Sequence, residues 1–412
     1  MSKITIAFLM LILGANLNAQ NTIHGKIIDA RTRETLAFAN IITNNGIKTT
    51  ADMDGVFSFE SLQPITRLKC SYVGYEKTDA VIGNITAPIV IEMKPLVNEL
   101  HEIIIAGGND PANRIIRKTI ANRESNNPEN RHSFSYNCYN KMTADFLFYK
   151  NKRDSIYLSQ TLKNSRLLLA ESVTKRKFLK PDWSEEVISG TKFSGFKNPT
   201  FAALATDLQP FSFYQNHVKL FDIRYLNPIA DGSLKKYKFR LQDEIYKDRD
   251  TVFIISFKPA PGKNFDGLEG LLYISSNQYA IQNVIATPFE KGKIDIKIQQ
   301  QYRFTNNQYW FPEQLNYTIT VKEYPNKDTG IYLEGKSYLS DVVFDIPLSA
   351  KDFSAETVRM EENAAAKNAL FWQTSRPGPL TPIEQQTYKV IDSIGQAQHF
   401  DRYLTVMEKL PR

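Results

Sequence analysis

Gly270 to Val284 reads GLLYISSNQYAIQNV. Two apolar, aromatic-bearing runs of strand length flank Ser-Ser-Asn-Gln, residues whose short polar side chains bond nearby backbone and favour tight turns. The unit is a β-hairpin. The same grammar continues on both sides. Leu234–Pro259 (LKKYKFRLQDEIYKDRDTVFIISFKP) turns at Tyr-Lys-Asp-Arg-Asp, and Lys293–Tyr324 (KIDIKIQQQYRFTNNQYWFPEQLNYTITVKEY) turns at Thr-Asn-Asn-Gln. Ile331–Ile346 (IYLEGKSYLSDVVFDI) adds another strand. Consecutive hairpins predict a meander of long antiparallel strands, a sheet that must curl or be covered because flat edges aggregate.

Upstream, residues 111–350 open on a helix. In NDPANRIIRKTIANRE, Asp110 caps, Pro111 fits the first turn, and Ala112, Ile115, Ile116, Thr119 and Ile120 share a face. Arg114, Arg117, Lys118 and Arg123 fall largely away from that face. SFSYNCYNKM alternates as a strand, and the stretch from Ile156 to Leu179 reads as two more. Phe193–Asn216 is irregular, with one short helical chance at Thr200–Thr206. Residues 351–412 read as helical: TPIEQQTYKVIDSI carries a Thr381–Glu384 capping box and a first-turn proline. Ile383, Thr387, Val390, Ile391 and Ile394 mark its apolar face. FWQTSRPGPL before it is expected to be extended by its prolines.

Residues 20–95 have a different rhythm, with short strands and turns at the spacing of an immunoglobulin-sized β-sandwich. Residues 96–110 link the two regions. Within the sandwich, TTADMDGVF sets Asp52 and Asp54 ahead of Gly55. Alternate carboxylates before glycine open many calcium loops. An EF-hand loop, however, needs more ligands, a later Glu and flanking helices, and here a strand follows at once. A polar turn is expected. The fold class is therefore mainly β: an N-terminal sandwich, then an α+β domain on a long curved antiparallel sheet.

At 412 residues, 42% hydrophobic and 23% charged, the chain is a folded globular protein, and its 25 Phe and 20 Tyr suit strands. The net charge of +7 is spread along the chain, without the aromatic interleaving of a nucleic-acid module, so no nucleic-acid partner is expected. Residues 1–19 read as a secretory signal peptide: Lys3, an apolar run from Ile4 to Gly14, and a small residue at Ala19. Export places Cys70 and Cys138 in an oxidising compartment. They fall in separate strand patterns, in different domains, and two buried free thiols are expected.

Two resemblances carry further. Gly25, Ile27 and Asp29, the turn Arg31–Thr35, LAFAN with Phe38 and Asn40, TTADMDGVF, and SYVGY with Gly74 and Tyr75 resemble the carboxypeptidase-regulatory-like (transthyretin-like) domain of Bacteroidota envelope proteins. Thr32-Arg33 and Leu36-Ala37 depart from its usual Thr-Gly and Leu-Pro. From about Gly107, the helix, YNCYNKM, GLLYISSNQYAIQNV and SRPGPLTPIEQQTYKVIDSI resemble a Bacteroidota family of unknown function that follows this sandwich. Longer members continue into an outer-membrane barrel, which implies an envelope location and leaves open whether this chain is a fragment or a soluble version. The meander resembles, more weakly, the half-barrel of periplasmic lipoprotein carriers, which implies an apolar ligand. NELHEIIIAGG resembles the linker ahead of the plug in TonB-dependent transporters.

The sequence assigns no catalytic, cofactor-binding or metal residue. None of His24, His101, His132, His217 and His399 begins the His-x-x-Glu of a zinc carboxypeptidase, and no Gly-x-Ser-x-Gly elbow occurs. Pro261–Gly270 is glycine-rich but precedes a strand, whereas a phosphate cradle precedes a helix. Tyr302, Tyr309, Trp310, Phe311 and Tyr317 gather around one turn and are expected in the core, with a glycan-stacking platform as the alternative. The expectation is an exported, non-enzymatic envelope protein with a structural or interaction role and outer-membrane or envelope proteins as partners. The alternatives are a carrier or sensor of lipid and a transporter extension. Oligomeric state is not legible.

Overall fold

The computed structural model describes residues 21–61, 63–82, 88–96, 110–149, 160, 162, 165–197, 210–247 and 250–402. The predicted signal peptide, nearly all of the linker, most of Ile156–Leu167, the Thr200–Thr206 helix and the chain after Arg402 lie outside these residues. The chain divides into two compact units, at Ala106 and Gly107.

The N-terminal unit is a sandwich of two sheets. Strands β1 (Asn21–Asp29), β4 (Val56–Ser61) and β7 (Ile89–Met93) form one, in the order β4-β1-β7. Strands β2 (Asn40–Thr43), β3 (Lys48–Thr50), β5 (Arg67–Ser71) and β6 (Thr78–Val81) form the other, in the order β3-β2-β5-β6. Alternation drives the packing: β4 buries every second residue, and Ile27, Ile41, Leu68 and Met93 meet between the sheets at 0% exposure. Cys70 lies in this core as a free thiol. Asp29 ends β1 by accepting from the backbone N–H of Arg31 (2.6 Å) and Thr32 (2.8 Å), and from the Tyr75 hydroxyl (2.6 Å).

The second unit starts at helix α1 (Pro111–Ala121), capped by the Asp110 side chain on the Ala112 N–H. Its buried residues are Ala112, Ile115, Ile116 and Thr119. A short helix, α2 (Arg123–Asn126), follows. Strands β8 (Ser133–Phe148), β9 (Leu168–Leu179) and β10 (Trp183–Phe193) come next, then a separate hairpin of β11 (His217–Leu220) and β12 (Ile223–Leu226). The expected meander runs through β13 (Tyr237–Lys247), β14 (Asp250–Pro259), β15 (Leu268–Ser275), β16 (Ile281–Pro288), β17 (Ile294–Thr305), β18 (Tyr309–Lys322) and β19 (Thr329–Phe344). The Ser-Ser-Asn-Gln and Thr-Asn-Asn-Gln turns close two of its hairpins, and β13 pairs directly with β14. After β20 (Val358–Met360) come helices α3 (Ala369–Ser375) and α4 (Pro382–Ala397).

One eleven-stranded sheet results, β13-β14-β15-β16-β17-β18-β19-β8-β9-β10-β20. Its neighbours are antiparallel except β20, which runs parallel to β10. Cross-strand pairs share a face, so the register separates the two sides. Ile296, Ile298, Gln300 and Tyr302 on β17 face α1, together with Leu315, Tyr317 and Ile319 on β18. That face continues across β19 and β8 through Leu339, Cys138, Tyr136 and Phe134. On β17 the opposite face carries Asp295, Lys297, Gln299 and Gln301, which are half-buried polar residues.

Two expectations need correction. FWQTS is helical, within α3, and not extended: the Asn368 side chain caps the Phe371 N–H, and Pro377 and Pro379 come late enough to end the helix instead of preventing it. The C-terminal stretch, read as helical, also supplies strand β20 to the sheet edge. Arg123, off the α1 stripe as read, begins α2 and is 7% exposed, bonding Asn216 (2.5 Å) and Asp231 (3.0 Å).

Candidate functional site

The acidic corner resolves as a turn between the two sheets of the sandwich. Asp52 accepts from the N–H of Asp54 and of Val56, both at 2.8 Å, and Gly55 adopts φ +71°, a left-handed angle that favours glycine. Strands β3 and β4 belong to different sheets, so the corner crosses the core and closes no hairpin. Among the described residues no three His, Cys, Asp or Glu side chains gather as metal ligands. The aromatic group is core: Tyr302, Trp310, Phe311 and Tyr317 are at most 7% exposed, and Tyr309 packs edge-on against Phe344.

The chemistry-bearing side chains collect instead where the C-terminal helices dock on the face of β8–β10 turned away from α1. Glu171 on β9 has a fully buried side chain. Its Oε1 accepts from Tyr139 (2.6 Å) and from Nε of Arg376 (2.6 Å); its Oε2 accepts from the second Arg376 nitrogen (2.7 Å) and from Tyr388 (2.7 Å). Burial alone pushes the Glu171 carboxyl upward, but the hydrogen bonds from Arg376, Tyr139 and Tyr388 outweigh it and hold it below the usual glutamate range. Burial, then the carboxylate, pushes both tyrosine hydroxyls up. A second buried carboxylate, Glu384, closes the α4 capping box with Thr381 and pairs with Lys141 on β8 (2.6 Å). These groups have every strong partner they need, so they anchor a segment and have no free lone pair for a substrate.

On the α1-bearing side, a polar cleft of about 410 Å³ lies between α2 and the β9–β10 turn. Arg176, Arg123, Glu129, Asn130, Ser184 and Gln215 are among its walls. Arg176 bonds Ser184 (3.0 Å) and lies over the Phe211 ring (5.2 Å to its centre). Cations and carboxylates are interleaved here, and no nucleophile is set beside a base.

Sequence reasoning missed the Glu171 cluster. Its only local trace is one acid inside the apolar run LLLAES; Arg376 lies 205 residues away.

A carboxypeptidase-regulatory-like sandwich ahead of an antiparallel-sheet domain is the class these features define. The chain belongs to DUF5686, a family of unknown function, whose model matches residues 115–339; a CarboxypepD_reg-like domain matches residues 23–105. No enzymatic family is among these matches. No curated protein matches the chain. Among solved structures, a DUF1329 family protein from Desulfovibrio piger is 11% identical, with 60% of this chain and 98% of that chain covered and a TM-score of 0.27. A LolA superfamily protein from Nitrosomonas europaea is 13% identical, with 59% and 97% covered and a TM-score of 0.25. At these TM-scores neither likeness bears on the fold or on function.

Proposed function

We propose that this is an exported, non-enzymatic protein of the cell envelope that acts as a scaffold, making contacts with outer-membrane or envelope proteins. The observation that carries the reading is a filled interior. Phe213, Tyr214, Ile298, Tyr302 and Tyr317 pack beneath α1 at no more than 2% exposure, and the buried polar groups opposite are spent on holding the C-terminal helices. Such a body offers surface, not a reaction chamber. The leader pattern in residues 1–19 supports export. None of the described helices is long and apolar enough to cross a membrane, which says nothing of strands. Crosslinking in intact cells tests the reading: the chain should be captured with an envelope protein, and recovery of uncrosslinked chain alone would contradict it.

A second reading, a carrier of an apolar ligand, has its own observation. At the end of the sheet where β8 finishes, the α1-bearing face presents Phe146 and Phe148 on β8, Ile331 and Leu333 on β19, and Val321 on β18, all half-buried. Ile294, opposite Val321, is 49% exposed. This strip is the place for an acyl chain. Organic extraction of protein purified from its native envelope, followed by mass spectrometry, separates the readings. A stoichiometric lipid favours the carrier, and lipid-free protein removes it.

A further inference from the structure

A second cleft, of about 340 Å³, lies between the end of β10, the start of α3 and the last turns of α4. Its lining carries three lysines, Lys192, Lys197 and Lys367, against one carboxylate, Asp392; Trp372 and Phe196 supply apolar wall. Two of the charged groups are already engaged. Lys367 bonds Asn363 (2.7 Å) and Glu361 (3.2 Å), and Asp392 accepts from the Gly195 N–H (2.7 Å).

Lys192 is different. Its Cα lies opposite Glu171, on the face that α4 covers, and its ammonium rests 3.9 Å from the centre of the Tyr388 ring. Glu171 and Asp392 favour its charge through space, but neither is hydrogen-bonded to it: both Glu171 oxygens are bound to Arg376 and the two tyrosines, and Asp392 accepts from the Gly195 N–H. Among the described residues no ion pair or hydrogen bond to an oxygen is made by Lys192. A half-buried ammonium facing an aromatic ring keeps some electrostatic support but forfeits the oxygen acceptors that water gave it. An anionic oxygen in the cleft would restore them by charge-assisted bonds.

We propose that this cleft binds a phosphate group carried on an organic body, with Lys192 donating to the phosphate at the floor, Lys197 and Lys367 flanking it, and Trp372 packing the organic part. Among the lining residues three side chains are positive and one is negative, an excess that favours an anion even with Lys367 bonded to Glu361. The apolar walls and the volume leave room for more than an inorganic ion. Burial lowers the Lys192 amine below the ordinary lysine range, so a bound anion also recovers stabilisation lost to desolvation. The ester is either soluble or a lipid headgroup, and the same chemistry serves both.

The test uses the full chain, with glycerol phosphate as the soluble probe in calorimetry and vesicles of phosphatidylglycerol against phosphatidylcholine as the lipid probe. One probe should bind: saturable heat identifies a soluble ester, and selective retention on phosphatidylglycerol identifies a headgroup. Lys192→Met should weaken that binding about tenfold, the effect of losing one charge-assisted contact. Lys197→Glu, at an exposed position that folding tolerates, should weaken it as well, and serves alone if the Lys192 variant does not fold. Absence of binding to both probes overturns the proposal, and so does affinity unchanged in whichever of these variants fold.

Discussion

Glu171 on strand β9 and Arg376, just after helix α3, form a two-pronged ion pair at 2.6 and 2.7 Å, across 205 residues of chain. The carboxylate is fully buried and also receives both tyrosine hydroxyls, Tyr139 from the sheet and Tyr388 from α4. This single group therefore ties the C-terminal segment to the sheet. Arg376→Met leaves it a buried charge short of its cation, which should cost about 3–5 kcal/mol in denaturant unfolding. The double variant Glu171→Gln, Arg376→Met should be less destabilised than the two losses summed, because the residues share one network.

The same pair sets a pH dependence. The folded Glu171 carboxyl titrates below its ordinary value, despite burial, because of the bonds from Arg376, Tyr139 and Tyr388. Its contribution is complete above the ordinary glutamate range and is lost as pH falls through the folded value. Glu384 acts in the same direction: Lys141 outweighs its burial. Asp392 and Asp145, raised by burial, oppose the effect. Amide exchange of α4 should therefore speed up below about pH 4, relative to the sandwich core. Exchange of α4 that slows relative to the sandwich core, with both corrected for the intrinsic rate at each pH, would mean the raised aspartates dominate.

Gly395 of α4 provides a steric test of docking. A Cβ there would lie 2.1 Å from the Gly195 carbonyl oxygen, a backbone atom that cannot step aside. Gly395→Ala should undock the helix and open the end of α4 to limited proteolysis, although alanine favours helix formation by about 1 kcal/mol. Unchanged cleavage would show that α4 is held elsewhere.

Both cysteines should be silent. Burial pushes the Cys70 thiol up to about 12, and burial pushes Cys138 up as well, with Glu186 adding to it. Alkylation of native protein should leave both unmodified, and denatured protein should take up two labels by intact mass. Fast native labelling of either would contradict its packing.

In the sandwich, the Tyr75 hydroxyl donates to Asp29 at 2.6 Å, and Asp29 also holds the turn at Arg31 and Thr32. Tyr75→Phe removes one charge-assisted bond and should cost about 1.5–3 kcal/mol, read as a lower melting temperature of this unit. An unshifted melt would place the anchor elsewhere.

Much of this architecture is legible locally. Turn chemistry at Ser275–Gln278 and Thr305–Gln308, and the Thr381–Glu384 box, fix elements because the deciding bonds span only a few residues. Closure of the sheet is not written that way. Strand β8 pairs with β19, and Ser337 bonds Asn140 across 197 residues, a partnership no periodicity announces. Helical phase places Arg123 off the α1 stripe but gives no sign that Asn216 and Asp231, about a hundred residues on, bond it. FWQTS read as extended because of the prolines that follow it, while the Asn368 cap ahead of it was not read. The Glu171 cluster was invisible for the same reason as the β8–β19 pair: its members come from three distant segments.

The most direct test of the scaffold account is the location and mass of the chain in its native cells. Fractionation followed by intact-mass analysis should find a protein starting at Gln20, in the envelope fraction, crosslinked to another envelope protein. A cytosolic chain still beginning at Met1 would contradict it.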